Sequence, residues 1–342
     1  MPAVGLLLFA LLLASPASAR SWSIQTSGLD TNLRGVSVAR ISPSASAAPV
    51  IWACGSHGVI LRSTDAGATW TRLHVPGGDL LDFRSIQAFD AASAYVMSIG
   101  TGQQSRIYRT VDGGKNWALE YIGNRSAAFL DDLVCISKIA CFALSDPVDG
   151  KFLLLTTRDG KNWRELPSDR MPPALPGEGA FAASGTSLAV YQRDIYFGTG
   201  GAAVARVFRS DDMGRTWAVS QTPIAATNAS SGIFSIARKA NNVVVVGGDY
   251  KDTARPGRAV AYSLDRGVTW RLARSPVGGF RSALVFLDSA TVLAVGPSGE
   301  DISQDAGASW APAGSLNFNA VAALDSQQAW AVGPKGTIAH YR

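Results

Sequence analysis

Ser63-Thr64-Asp65-Ala66-Gly67-Ala68-Thr69-Trp70 decides how this chain folds, because it returns. Its four fixed points, Ser/Thr, Asp, Gly and Trp, recur at the same spacing at Thr110, Asp112, Gly114 and Trp117, and at Ser210, Asp212, Gly214 and Trp217. They recur again at Ser263, Asp265, Gly267 and Trp270, and at Ser303, Asp305, Gly307 and Trp310. A sixth copy, Thr157, Asp159, Gly160 and Trp163, is one residue shorter. The residue types describe a turn. A Ser/Thr hydroxyl and an Asp carboxylate accept backbone N–H groups within it. Gly takes a positive φ without steric cost, and Trp opens the next strand and buries a large ring against a neighbouring sheet. Nothing in this spacing points to catalysis.

From Trp70 to Trp310 the intervals between motif tryptophans are 47, 46, 54, 53 and 40 residues. A period of about 40–50 residues with alternating apolar strands is that of a four-stranded propeller blade. One blade reads as strands over 282–288, 291–296 and 300–303, then the turn, then Trp310. Six turns give six blades, and the ends of the chain supply a seventh. After Trp310 only three strands remain, in 320–324, 329–333 and 337–342, whereas Ser21-Trp22-Ser23-Ile24 resembles the strand that follows a turn. Trp22 lies 48 residues before Trp70. The expectation is an all-β, seven-bladed propeller over residues 20–342, its last blade closed by the N-terminal strand, which leaves no free sheet edge in the ring. Six blades with loose ends is the alternative. Seven of the nine tryptophans fill the repeat position, while Trp52 and Trp330 fall in second strands and read as core.

The recurring turn is the Asp-box, and the chain resembles the BNR-repeat propellers in its six aspartates, Asp65, Asp112, Asp159, Asp212, Asp265 and Asp305. Residues 1–19, with the apolar run 5–15 and the small-residue site Ala17-Ser18-Ala19, read as a secretory signal peptide, so a periplasmic or secreted location is expected. No later segment is apolar for long enough to span a membrane. Of the three cysteines, Cys135 and Cys141 flank a short connection and are a candidate disulfide for an oxidising compartment, whereas Cys54 reads as a buried small side chain. A net charge of +5 spread along 342 residues, with no Lys/Arg block, argues against nucleic acid. His57, His74 and His340 have no metal-ligand spacing, and no cofactor fingerprint occurs, so neither metal nor cofactor is expected.

The first strand of each blade lines a propeller's channel, and aligning those strands picks out candidate binding residues. Arg34, Arg84 and Arg281 stand at matching places in blades 1, 2 and 6, Asp131 and Asp132 in blade 3, Glu178 in blade 4, Phe234 or Ser235 in blade 5 and Asn319 in blade 7. Three arginines would then gather on one side of the channel mouth, opposite acids. Guanidinium forks take carboxylates and phosphates, or they can pair with those acids and tie the blades together; both roles stay open at this point.

Leu33-Arg34-Gly35-Val36, the run 330–338 beginning Trp330-Ala331-Val332-Gly333, and the turn 110–117 resemble the photosystem II assembly and stability factors of cyanobacteria and plastids. That resemblance implies a seven-bladed, exported, non-enzymatic propeller whose arginine patch binds a protein or acidic peptide while an envelope complex assembles. The insertions 168–179 and 247–258 depart from the family and are expected to decorate a face of the ring, where recognition usually resides. The alternative is a sialidase-type glycoside hydrolase binding a glycan, with Tyr191 or Tyr250 as nucleophile. Such an enzyme needs a pair of carboxyl-type groups about 5–5.5 Å apart if it retains configuration, and no glutamate stands convincingly beside either tyrosine.

Overall fold

The computed structural model of the chain describes residues 20–39 and 48–342. The segment read as a signal peptide lies outside them. Seven four-stranded antiparallel sheets succeed one another along the chain. Blades 1 to 6 begin at Leu33, Asp82, Leu130, Leu188, Ser231 and Ala283, and each is complete in sequence order. Blade 7 takes Ala320–Ala323, Ala329–Val332 and Thr337–Tyr341 and borrows Trp22–Thr26 as its outer strand. Trp22 faces Tyr341 in the ladder and Thr26 faces Thr337. The backbone of Ser21 exchanges N–H···O bonds with Arg342 at 3.1 and 3.3 Å. The ring is thus seven-bladed and sealed by its two ends, as the repeat interval before Trp70 predicts.

Packing follows from position within each blade. Second strands, covered on both faces, are continuous apolar runs: Val50–Gly55 is buried throughout, as are Val292–Gly296 and Ala329–Val332. Burial on both faces removes the two-residue alternation. Outer strands such as Ala311–Gly314 are exposed. Between the blades lie seven apolar clusters, one per junction; Val50, Trp52 and Cys54 of blade 1 meet Phe83, Ile86 and Val96 of blade 2 in one of them. Trp52 and Trp330 are wholly buried. Cys54 is free, and burial pushes its thiol well above the ordinary range. Cys135 and Cys141 are ladder partners across the first hairpin of blade 3 and are joined by a disulfide.

Every box uses the same bonds. In the first, Ser63 Oγ accepts from the amides of Gly67 at 2.7 Å and Asp65 at 3.3 Å and donates to Asp65 Oδ1 at 2.7 Å. Asp65 also accepts from the Thr69 amide at 2.9 Å and, through Oδ2, from the Thr69 hydroxyl at 2.6 Å. The residue before Trp is therefore a fifth fixed point, filled by Thr69, Asn116, Asn162, Thr216, Thr269 and Ser309, each donating its side chain to the box aspartate. These turns join third to fourth strands. The arginine candidates stand near the starts of first strands, so antiparallel order places boxes and arginines on opposite faces of the ring.

Candidate functional site

Four of the first strands carry a one-residue bulge, at Arg34, Arg84, Asp131 and Phe234. A bulge re-aims one side chain out of the pleat. Arg34 and Arg84 thereby line a cavity of about 460 Å³ at the channel mouth, together with Asn319, Ser282 and an aromatic group that includes Phe234 and Tyr250.

The two arginines differ. Arg84 is paired: its Nε and Nη2 donate to Asp82 Oδ2 at 3.0 and 2.6 Å, and its Nη1 donates to the carbonyl of Ala182 at 2.9 Å. Arg34 has no carboxylate partner among the described residues. Among the described residues its side chain makes one bond, a long one from Nη1 to Asn319 Oδ1 at 3.4 Å, and its buried Nε has no acceptor. Asn319 is itself fixed by donating to the Leu33 carbonyl at 2.8 Å. Burial, and then the charge of Arg84, push the Arg34 guanidinium down to about 10. It remains cationic near neutrality, as a largely desolvated charge with no direct ion pair, its shift offset in part by the nearby charge of Asp82.

Arg281 stands elsewhere than its alignment suggests. Its amide bonds to Gly247 of blade 5, just as Leu33 and Phe318 reach back to Gly333 and Gly296 of their preceding blades. Ser282, not Arg281, is thus the counterpart of Arg34 and Asn319, and the alignment is one residue out of step. The Arg281 side chain, 2 % exposed, turns into blade 6 and pairs with Asp301 at 2.6 and 2.7 Å. Glu178 also departs from the expectation. It precedes the first strand of blade 4, Leu188–Tyr191, by ten residues, and its buried carboxylate pairs with Arg206 (Nε to Oε1 2.8 Å) and accepts from Thr199 Oγ1 at 2.6 Å. Asp131 and Asp132 do belong to the inner strand of blade 3, but both are buried. Asp132 accepts from Ser85 Oγ at 3.0 Å and from the amides of Leu133 and Leu188 at 2.7 and 2.8 Å, which links blades 2, 3 and 4. Burial pushes it up to about 7, and also raises Asp131 well above the ordinary range, with the charges of Asp146 and Asp132 adding to that shift. The acids therefore do not face the arginines across open space.

What buries them is the stretch 179–187, the continuation of the first insertion. Residues 168–179 do reach a ring face, where Ala174–Phe181 line a shallow depression with Asp146. Beyond it the chain crosses the inside of the ring. Ala182 accepts from Arg84 of blade 2, Ser184 Oγ donates to the Ser282 carbonyl of blade 6 at 2.8 Å, and Thr186 Oγ1 bonds Ser235 Oγ of blade 5 at 2.8 Å. Gly185 passes so close that a Cβ there would sit 2.9 Å from Ser85 Oγ, and its φ is +67°. The channel mouth is consequently a cup with a floor rather than an open bore. Sequence alignment misses this segment because it occurs once. Its signal is compositional: Gly179-Ala180-Phe181-Ala182-Ala183 is small and apolar, unlike a solvated loop.

The cup's lining contains no carboxylate, so Tyr250 at its edge has no acidic partner there, and Tyr191 lies away from it under the Arg238 guanidinium. Among the described residues no cluster of His, Cys, Asp and Glu is arranged to hold a metal, and no helix is long and apolar enough to cross a membrane.

This chain shares its fold with YCF48. The structure of YCF48 from Cyanidioschyzon merolae superimposes with a TM-score of 0.67 over 94% of this chain and 98% of that one, at 15% identity. A second solved structure, YCF48 bound to D1 peptide, gives a TM-score of 0.65 over 96% and 98%, at 14% identity. No protein-family model and no curated protein matches the sequence. The YCF48 likeness is one of fold, in agreement with the resemblance that the sequence motifs imply.

Proposed function

We propose that this protein is a non-catalytic, exported propeller that binds an acidic segment of a partner protein in the cup and assists assembly or stability of an envelope complex. The carrying observation is Arg34. A guanidinium held largely out of water that no carboxylate pairs with is an anion site by default, since an arriving carboxylate relieves the desolvated charge. Arg84, paired with Asp82 and bonded to the Ala182 carbonyl, holds one wall in place. That a propeller of this fold, YCF48, has been captured with a peptide supports the same use of the architecture. The lack of any carboxylate in the cup speaks against a glycosidase pair at this place.

The test is a titration of fluorescein-labelled acidic peptides followed by anisotropy, with wild type, Arg34→Gln and, as a control on the box face, the exposed Arg158→Gln. Arg34→Gln should weaken binding by at least about tenfold, or 1.4 kcal/mol, and abolish its salt dependence, while Arg158→Gln changes nothing. Equal affinities for all three proteins would overturn the proposal.

A further inference from the structure

Seven of the apolar clusters are blade junctions. The eighth, made of Phe181, Ala183, Phe234 and Phe280, is not: it lies inside the ring and forms one wall of the cup. Its rings are ordered. Phe181 and Phe234 stack at 3.9 Å and 10°, Phe280 stands edge-on to Phe234 at 4.6 Å, and Tyr250 completes the group at 6.0 Å from Phe234. Propeller packing does not demand them. The equivalent positions of blades 1, 2, 3, 6 and 7 hold Arg34, Arg84, Asp131, Ser282 and Asn319, all polar, whereas blade 5 places Phe234 there. Tyr250, by contrast with Phe234 and Phe280, is 47 % exposed although it belongs to the same group.

We infer that the cup is a two-part recognition site: Arg34 takes one carboxylate, and the wall of Phe181, Phe234, Phe280 and Tyr250 takes a large apolar or aromatic side chain next to it. The ligand is an acidic residue flanked by such a side chain in a peptide, and this rests on the peptide-binding reading above. Charge sets the carboxylate count. Asp82 already neutralises Arg84, which leaves one uncompensated guanidinium and so suits a monoanion better than a phosphate dianion. Geometry sets the second group. A cation set against these rings would meet the repulsion of Arg34, which lines the same cavity. An apolar group gains by removing Tyr250 and the accessible part of Phe181 from water, at about 25 cal/mol per Å². A cavity of about 460 Å³ is larger than a lone carboxylate requires.

Four labelled peptides of equal length test this: one with adjacent Phe and Asp, one with Phe replaced by Ala, one with Asp replaced by Asn, and one with both replaced, each in both residue orders. Wild type should bind a Phe/Asp peptide about tenfold or more tighter than its Ala/Asp counterpart. Tyr250→Ala, a change at an exposed ring that leaves the fold intact, and Phe181→Ala should each erase much of that ratio while keeping the Asp/Asn ratio; Arg34→Gln should do the reverse. An Asp/Asn preference without a Phe/Ala preference overturns the aromatic subsite and leaves peptide binding standing. Absence of both preferences overturns the peptide reading as well. Free 3-phenylpropionate, added as competitor, should displace the peptide only weakly; displacement at the peptide's own affinity would make the ligand a small aromatic acid and overturn the peptide form of the inference.

Discussion

Asp65 and Asp112 on the turn face and Asp132 and Asp146 around the floor of the cup are the same side chain in opposite settings. On the turn face the carboxylate stays in water and collects donors. The hydroxyl and amide of Thr69 hold Asp65 down to about 2, and the amide and side chain of Asn116 do the same for Asp112. Around the cup, burial outweighs the donors, even the several that reach Asp132, so Asp132 rises to about 7 and Asp146 to about 6. The two groups therefore act on stability with opposite signs. Turn carboxylates, whose folded values lie below the unfolded value of about 3.9, contribute stability above that value and lose it as pH falls toward 2. Inner carboxylates, with raised folded values, favour the fold while protonated, and that contribution is lost as pH rises through about 6 to 7. The difference teaches that the repeated residues serve the ring, whereas the unrepeated ones are held in place at a cost that the ring supplies.

A buried carboxylate that owns a guanidinium is the limiting case. Arg281→Met would strand Asp301 at 2 % exposure and should lower unfolding stability by about 3–5 kcal/mol, read by denaturant titration. A loss below about 1 kcal/mol would mean that the pair is not what supports blade 6. Next in size, Gly185→Ala should cost about 1–3 kcal/mol, because a side chain must adopt positive φ against Ser85; an unchanged midpoint would mean that the floor of the cup yields easily.

The sign reverses at Asp131→Asn. An amide reproduces the protonated acid, so this variant should be more stable than wild type at pH 8 by at least about 1 kcal/mol, the worth of one pKa unit, with the advantage vanishing near pH 4. A uniform loss at every pH would break the contrast between the two groups. The smallest effect belongs to Asp112→Asn on the turn face. Its thermal midpoint should drop slightly at pH 7 and match wild type near pH 2, a trend opposite to that of Asp131→Asn. Parallel trends for the two variants would show that burial does not separate them.

Period explains what the sequence disclosed. Six boxes, intervals of 40 to 54 residues and Trp22 a comparable 48 residues ahead of Trp70 made the blade count and the closure readable, because the repeat was stated several times along the chain. The cup was stated once. Arg34 and Arg84 were found since their strands align without gaps, but Arg281 slipped by one residue, because the lead-in to its strand follows a long insertion and only the backbone bond to Gly247 fixes the register. Glu178 and Arg206 form a buried pair across a loop, and side-chain spacing carries no trace of such a contact. The floor, residues 179–187, has no repeat to be compared with; its position inside the ring follows from bonds to three blades at once.

The ladder between Trp22–Thr26 and Thr337–Tyr341 also has a meaning in time. The first strand to leave the site of synthesis must wait for the last one to appear before either is satisfied. Until then blade 7 keeps an unpaired edge and the ring a seam. A contact between strands so far apart in sequence is of the kind that long-range topology makes slow, and until it forms the strand edge is open to any neighbour.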